Sequence, residues 1–319
     1  MQATETSTDK SDLPLVTIVT PTYNQADYLT ETIDSVLAQD YPNIEYIVID
    51  DGSTDHASEI LKQYDGRLYW ERQANMGQAA TLNRGWEMGA GEIIGYLSSD
   101  DLLKPQAVTK SVSFLLNNPE VILIYPDFDL IDAKGNYVRT IDALEFDYCN
   151  MVSNLVCYPG PGALFWKRFF DIAGGWNPDL RQVPDFEYWV RLSQYGDFKR
   201  IPKVMSSSRI HENSQSFRPI SVALAMEPVH SMANLIESGK IRADQKDCAN
   251  GSIAAAHLLS FRLLFRSSCY LTGIISLYNA VTLRPGLILN ASFWRAIASA
   301  LFGKSFYRTM FRTKLADSP

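Results

Sequence analysis

Two pairs of adjacent carboxylates, Asp50-Asp51 and Asp100-Asp101, each stand where a short apolar run gives way to a turn. Neighbouring carboxylates repel one another unless donors or a cation lie opposite. On a sharp turn such a pair can hold a divalent cation through oxygen ligands and leave positions for a diphosphate. Magnesium or manganese suits that work, clamping phosphates and neutralising charge on a departing group. Taken singly, each turn reads equally well as a helix cap, by Ser53 or Asp55 in one case and ahead of Pro105 in the other. A third loop, Pro21-Thr22-Tyr23-Asn24, offers the ring of Tyr23 for stacking and the amide of Asn24 for a base or ribose. Gly77 opens a helix whose N-terminus can face a phosphate. Asn83 and Arg84 follow about two turns in, Arg84 being either a phosphate contact or a surface charge.

These loops need a frame. Leu15 to Thr20, Glu45 to Asp50, Ile93 to Leu97 and Val121 to Tyr125 are short runs rich in β-branched and apolar residues, as in strands covered on both faces. Between them lie helical patterns: Leu29, Ile33, Val36 and Leu37, then Ala79 to Ala90, then Pro105 to Leu116. Alternating strand and helix predicts a doubly wound, mostly parallel α/β sheet with helices on both faces. In such sheets ligands bind beyond the carboxyl ends of the strands, where the three loops fall. Past Pro126 the rhythm changes to a hairpin turning at Lys134-Gly135-Asn136, a Gly/Pro-rich loop from Tyr158 to Gly162, and a helix from about Asp185 to Tyr195. Beyond Pro219 the pattern is almost wholly helical, broken at Arg284-Pro285-Gly286.

A net charge of −7 excludes a general nucleic-acid binder, since phosphates are repelled over most of the surface. The acidity is uneven: every charged residue from Ser252 to Ala316 is basic. Cys149, Cys157, Cys248 and Cys269 show neither zinc spacing nor a disulfide framework, which predicts a reducing cytoplasm. No GxGxxG follows the first strand, which disfavours a dinucleotide dehydrogenase.

In order and spacing, Thr20-Pro21-Thr22-Tyr23-Asn24, Asp50-Asp51-Gly52-Ser53-Thr54-Asp55, Gly77-Gln78 to Asn83-Arg84-Gly85 and Ser99-Asp100-Asp101 resemble a family 2 glycosyltransferase of the GT-A fold, over about residues 15 to 215. The resemblance implies that Pro21, Tyr23 and Asp51 hold the nucleotide, with Asp51 reading the uracil edge. It implies a Mg2+ or Mn2+ ion at Asp101, with Asp100 beside it, and inversion by direct displacement. Asp185-Phe186-Glu187-Tyr188-Trp189 resembles the family's base-bearing element, with Asp185 as base, Glu187 as runner-up, and Pro184 where a Glu is common. His211-Glu212-Asn213-Ser214-Gln215-Ser216 resembles the segment that closes over diphosphate and metal, and Gly162 with Gly174-Gly175-Trp176 resembles the acceptor side.

The expected layout is a flexible tail at 1–12, a catalytic domain at 13–218 and a basic helical extension at 219–319. Within the catalytic domain the nucleotide-sugar half covers about 13–125 and the acceptor half about 126–218. The expected partners are a nucleotide-sugar donor, most readily a UDP-sugar, and a saccharide or lipid-linked saccharide acceptor. The setting is surface polysaccharide or glycolipid synthesis. The extension reads either as a helical hairpin packed on the catalytic domain or as a peripheral platform on the inner membrane leaflet, with no spanning helix. Two rivals are a non-catalytic nucleotide-sugar sensor of the same fold and a two-carboxylate glycoside hydrolase, which leaves the Asp51 and Asp100-Asp101 loops without a purpose.

Overall fold

A computed structural model describes residues 13–211, 214, 219–291 and 293–301. The first part alternates: β1 (Val16–Thr22), α1 (Ala26–Leu37), β2 (Ile44–Asp50), α2 (Ala57–Lys62), β3 (Tyr69–Arg72), α3 (Gln78–Met88) and β4 (Ile93–Tyr96). Next come β5 (Leu102–Leu103), α4 (Ala107–Asn117), β6 (Leu123–Asp132), β7 (Tyr137–Ile141), α5 (Tyr148–Asn154) and β8 (Leu164–Trp166). The remainder is α6 (Lys167–Ala173), α7 (Pro184–Leu192), β9 (Phe198–Ile210), α8 (Val222–Glu237), α9 (Ser252–Arg266) and α10 (Tyr270–Leu283).

The chain divides into two compact units. The first runs to Phe146 and resumes over Cys157–Asp179 and Arg191–His211; the second takes Asp147–Val156, Leu180–Val190 and the chain beyond His211. In the first unit all nine strands form one sheet in the order β3-β2-β1-β4-β8-β6-β9-β5, with β7 on β6. The half made of β3, β2, β1 and β4 is parallel throughout. The other half is mixed: β8 runs antiparallel to both β4 and β6, while β6 and β9 are parallel. β1 is buried at all seven positions, which explains its unbroken apolar and Thr sequence. Val16, Ile18, Leu29, Ile33 and Val36 share one core with Val112 and Leu115 of α4. β8, three residues long, separates β4 from β6, which the sequence pattern reads as successive neighbours.

The second unit is helical. Its two excursions from the middle of the chain are fastened inside it. Cys149 and Cys248 form a disulfide with Cα atoms 4.8 Å apart, and the Arg242 amide donates to the Tyr148 hydroxyl at 2.7 Å. The Glu227 carboxylate accepts from the amides of Arg181, Gln182 and Val183 at 2.8, 2.5 and 2.8 Å. The disulfide overturns the expectation that the four cysteines form none; its sulfurs are 99 residues apart in sequence, beyond any spacing signature. Among the described residues no single helix is long and apolar enough to cross a membrane. The bent pair Ala243–Ala249 and Ser252–Arg266 meets that test only jointly, across a 48° break. The segment 1–12 and the residues 302–319 lie outside the described residues.

Candidate functional site

β1 and β2 are in parallel register as far as Thr22 and Asp50, so their exit loops leave the sheet side by side. Asn24, at φ 53, links them: its amide donates to Ser53 Oγ at 3.0 Å, and its Oδ1 accepts from the Thr54 amide at 2.7 Å. The Asn24 side chain thus fixes loop to loop, while Tyr23 beside it is 45% exposed and Pro21 is buried.

The repulsion inherent in Asp50-Asp51 is met by donors on every side. Asp50, fully buried, accepts from the Ser53 amide at 2.8 Å and the Ser58 hydroxyl at 2.8 Å, with Arg72 Nε 3.5 Å away. Asp51 Oδ1 accepts from Gln73 Nε2 at 2.9 Å and the Met76 amide at 2.7 Å, and Oδ2 from the Gly77 amide at 2.8 Å. The 73–77 loop therefore wraps the Asp51 carboxylate and delivers the start of α3 to it. Gly52 permits the approach: at φ +78, a Cβ there would stand 3.0 Å from the Asn75 amide nitrogen.

Farther along α3 the expected nucleotide contacts are engaged elsewhere. The Asn83 amide spans the Trp176 backbone, accepting from its N–H and donating to its carbonyl, both at 2.7 Å. Arg84 pairs with Glu71 at 2.5 Å on a half-exposed surface. Trp176, expected on the acceptor side, is only 3% exposed, edge-on to Trp86 and Tyr96. Its bulk makes core of it. Gly162, at φ +85, lies over Leu103, Pro126 and Ser206.

The second carboxylate pair sits on a tight turn after β4, closed by the Asp101 amide donating to the Ser98 carbonyl at 3.0 Å. The end of β9 locks it. The Arg209 amide donates to Asp101 Oδ1 at 2.9 Å, and Arg209 Nε donates to the Asp100 carbonyl at 3.0 Å. The same guanidinium reaches Glu31 Oε2 at 2.7 Å and lies 4.9 Å above the Tyr28 ring. Two residues on, His211 Nε2 is 3.0 Å from Asp100 Oδ2, and its ring packs against Tyr28 at 4.7 Å. Burial, and then the adjacent Asp100, pushes the Asp101 carboxyl well above the usual carboxylate range, against the Arg209 amide and the Ser208 hydroxyl.

This donor set fits a divalent cation of the magnesium or manganese kind. A carboxylate oxygen and an imidazole nitrogen already converge at Asp100 and His211. Among the described residues no three His, Cys, Asp or Glu side chains form a ready cage. That is the arrangement in which such ions take one or two protein ligands and complete their shell with phosphate oxygens and water.

Asp185 and Glu187 belong to the second unit, in the first turn of α7. Asp185 Oδ1 accepts from the Phe186 amide at 2.8 Å, and Glu187 is buried. The three amides just ahead of α7 are those taken by Glu227 of α8. Local sequence reading misses Gln73, Arg209, Tyr28 and Glu227. Each acts on a residue far away in the chain, and the one local hint is an arginine two residues before the singled-out histidine.

Residues 17–172 match the model of the family described as glycosyl transferase family 2. A Rickettsia typhi protein described as an uncharacterized glycosyltransferase is 31% identical over 62% of this chain and 65% of its own length. Escherichia coli chondroitin synthase is 27% identical over 66% of this chain and 31% of its own length. Pasteurella multocida hyaluronan synthase is 26% identical over 66% and 22%. The chain thus spans less than two thirds of the length of these relatives. In fold it is similar to residues 1–349 of S. aureus TarS, solved with UDP-GlcNAc (TM-score 0.60, 16% identity, 85% of this chain and 91% of that one). It is also similar to the mannosyltransferase PcManGT of Pyrobaculum calidifontis, solved with GDP-Man and Mn2+ (TM-score 0.58, 19% identity, 94% and 90%).

Proposed function

Because residues 17–172 match the model of glycosyl transferase family 2, we propose that the chain transfers a sugar from a nucleoside diphosphate to a hydroxyl of a growing saccharide. The observation that carries this reading is the acidic turn Asp100-Asp101, braced by Arg209 and faced by His211 at the carboxyl end of β4. Asp51 and the start of α3 lie beyond strands of the same sheet. Asp51 accepts three hydrogen bonds of the roughly four a carboxylate can take, leaving room for an imide N–H of a base. A UDP-sugar is the favoured donor, supported by the UDP-GlcNAc bound to TarS. GDP-mannose, bound to PcManGT, is the competitor to test.

In this reading Asp100, Asp101 and His211 would hold a Mg2+ or Mn2+ ion, which would neutralise charge on the diphosphate. The reaction is a direct displacement with inversion. The acceptor oxygen bonds to the anomeric carbon as the bond to the diphosphate breaks, and the hydroxyl proton passes to the Asp185 carboxylate. Nucleoside diphosphate and the lengthened saccharide leave. The role of Asp185 rests on its motif, at the head of a helix whose preceding amides are held by Glu227.

The test incubates the full chain with UDP- and GDP-sugars and oligosaccharide acceptors, and reads released nucleoside diphosphate with and without EDTA. Acceptor-dependent release is expected, lost on chelation and restored by Mn2+. Asp100→Asn and Asp185→Asn should each cut it by about a hundredfold or more. Binding of the donor with no release for any acceptor would identify a sensor instead of a transferase.

A further inference from the structure

Helix α10 is built inside out. It carries no charged residue, and its buried positions are small: Gly273, Ser276 and Ala280. Ser276 Oγ donates to the His257 carbonyl at 3.0 Å, and a Cβ on Gly273 would strike the Phe265 ring, so α10 lies close against α9. Leu277 and Val281 pack against the core of the unit, while most of the helix's other large apolar residues face outward. Leu271, Ile274, Ile275 and Tyr278 are 75, 55, 52 and 69% exposed. At 3.6 residues per turn they share an arc of roughly 100°. An amphipathic helix of an isolated soluble unit shows the reverse order. Leu283 at the end of the helix, and Leu289 and Trp294 beyond it, are exposed as well.

Charge identifies the occupant of this face. Arg262 and Arg295 are exposed, and no Asp or Glu occurs anywhere from Ser252 to Ala316. A second copy seated symmetrically would set this basic region against itself. An anionic lipid surface complements it and also takes up the apolar stripe. The helix, 14 residues and about 21 Å long, is too short to span a bilayer and suits a position in the interfacial plane. Tyr270, Tyr278 and Trp294, all exposed, are rings of the type favoured at headgroup depth. We propose that the α10 face of the second unit seats the protein on an anionic membrane surface.

Flotation of the full chain with vesicles tests this, using phosphatidylcholine alone and phosphatidylcholine mixed with phosphatidylglycerol. Partition onto the mixed vesicles should exceed that onto the neutral ones by about tenfold or more, and should fall as salt is raised. The double variant Leu271→Glu/Ile275→Glu should lose about tenfold of the binding or more. Because both side chains are exposed, its circular dichroism and unfolding midpoint should match the parent's. Equal flotation of parent and double variant overturns the proposal. So does a dimer of the parent that ignores both kinds of vesicle and that the double variant dissociates, since the face would then be covered by a second copy.

Discussion

Arg209 serves both residues of the acidic turn, through different atoms. Its backbone amide holds Asp101, while its guanidinium holds the Asp100 carbonyl, the carbonyls of Asp132 and Ala133 at 3.4 Å, and Glu31. The Arg209 side chain is 1% exposed, so its bonds to the carbonyls are shielded from water and salt, while Glu31 at the far end is 56% exposed. His211 follows on the same stretch of chain, and the position of Arg209 thereby sets the distance from imidazole to Asp100. Lysine keeps the charge but has no planar fork and no face to lay on Tyr28. Arg209→Lys is therefore expected to lower kcat/KM for transfer by at least about tenfold, or ~1.4 kcal/mol, and to raise the Mn2+ concentration needed for half-maximal activity. A manganese titration of the activity, alongside urea unfolding, separates this from simple destabilisation. An unchanged metal requirement would mean that the turn holds its shape without the clamp. Glu227 plays a comparable part at α7, where a carboxylate supplied by α8 faces the turn that carries Pro184 instead of the acidic residue common in the family.

β6 and β9 are joined by a long parallel pairing and also by charge. Arg200 donates from Nε and Nη2 to the two oxygens of Asp127 at 2.7 and 2.8 Å, and the Asp127 side chain is 5% exposed. Burial works to raise the Asp127 carboxyl, but the Arg200 fork and the Ala143 amide outweigh it and hold it below the usual range. A carboxyl depressed by folding contributes stability above its ordinary value near 4, and that stability is lost as pH falls through the folded value. Asp127→Asn is expected to cost about 2 to 3 kcal/mol at neutral pH. Its deficit in urea unfolding should shrink as pH falls below about 4, and a deficit independent of pH would assign the loss to packing. This pairing also shows where sequence reading stops. β1, β2 and β4 announce themselves because burial on both faces demands unbroken apolar runs. β5 and β8, with two and three residues, have no room for a period, and the Ser-rich end of β9 resembles a loop until β6 and β5 are beside it. The carboxylate pairs are legible for a local reason, since adjacent like charges at strand ends need an explanation. Their answering donors are not, because Gln73 reaches Asp51 and the Arg209 amide reaches Asp101 across 22 and 108 residues. Asn83 and Trp176 invite nucleotide and acceptor roles by motif, and only burial and partners redirect them to the packing of the first unit.

The chain crosses between its two units repeatedly, so neither is a simple half of the sequence. A unit assembled from separate segments pays more loop-closure entropy than a continuous one, and cross-links between its segments recover part of it. In the second unit the Cys149–Cys248 disulfide does this, joining residues 99 apart that both belong to that unit. Disulfides stabilise by roughly 2–4 kcal/mol in typical cases, and chain entropy alone gives about 4.7 kcal/mol for a loop of about 100 residues, through a denatured state with fewer conformations. No disulfide is formed by Cys157 or Cys269, and the first unit contains no part of this loop's bond. Alkylation of the denatured, unreduced protein should therefore modify Cys157 and Cys269, with Cys149 and Cys248 added only after reduction. Reduction, or Cys149→Ser with Cys248→Ser, should lower the unfolding midpoint of the helical unit and leave that of the sheet unit in place. Circular dichroism at helical wavelengths follows the former. Tryptophan fluorescence, dominated by Trp70, Trp86, Trp166 and Trp176 of the first unit, follows the latter. Equal movement of both transitions would show that the two units unfold as one, and four alkylated cysteines before reduction would show that the bond is absent in solution.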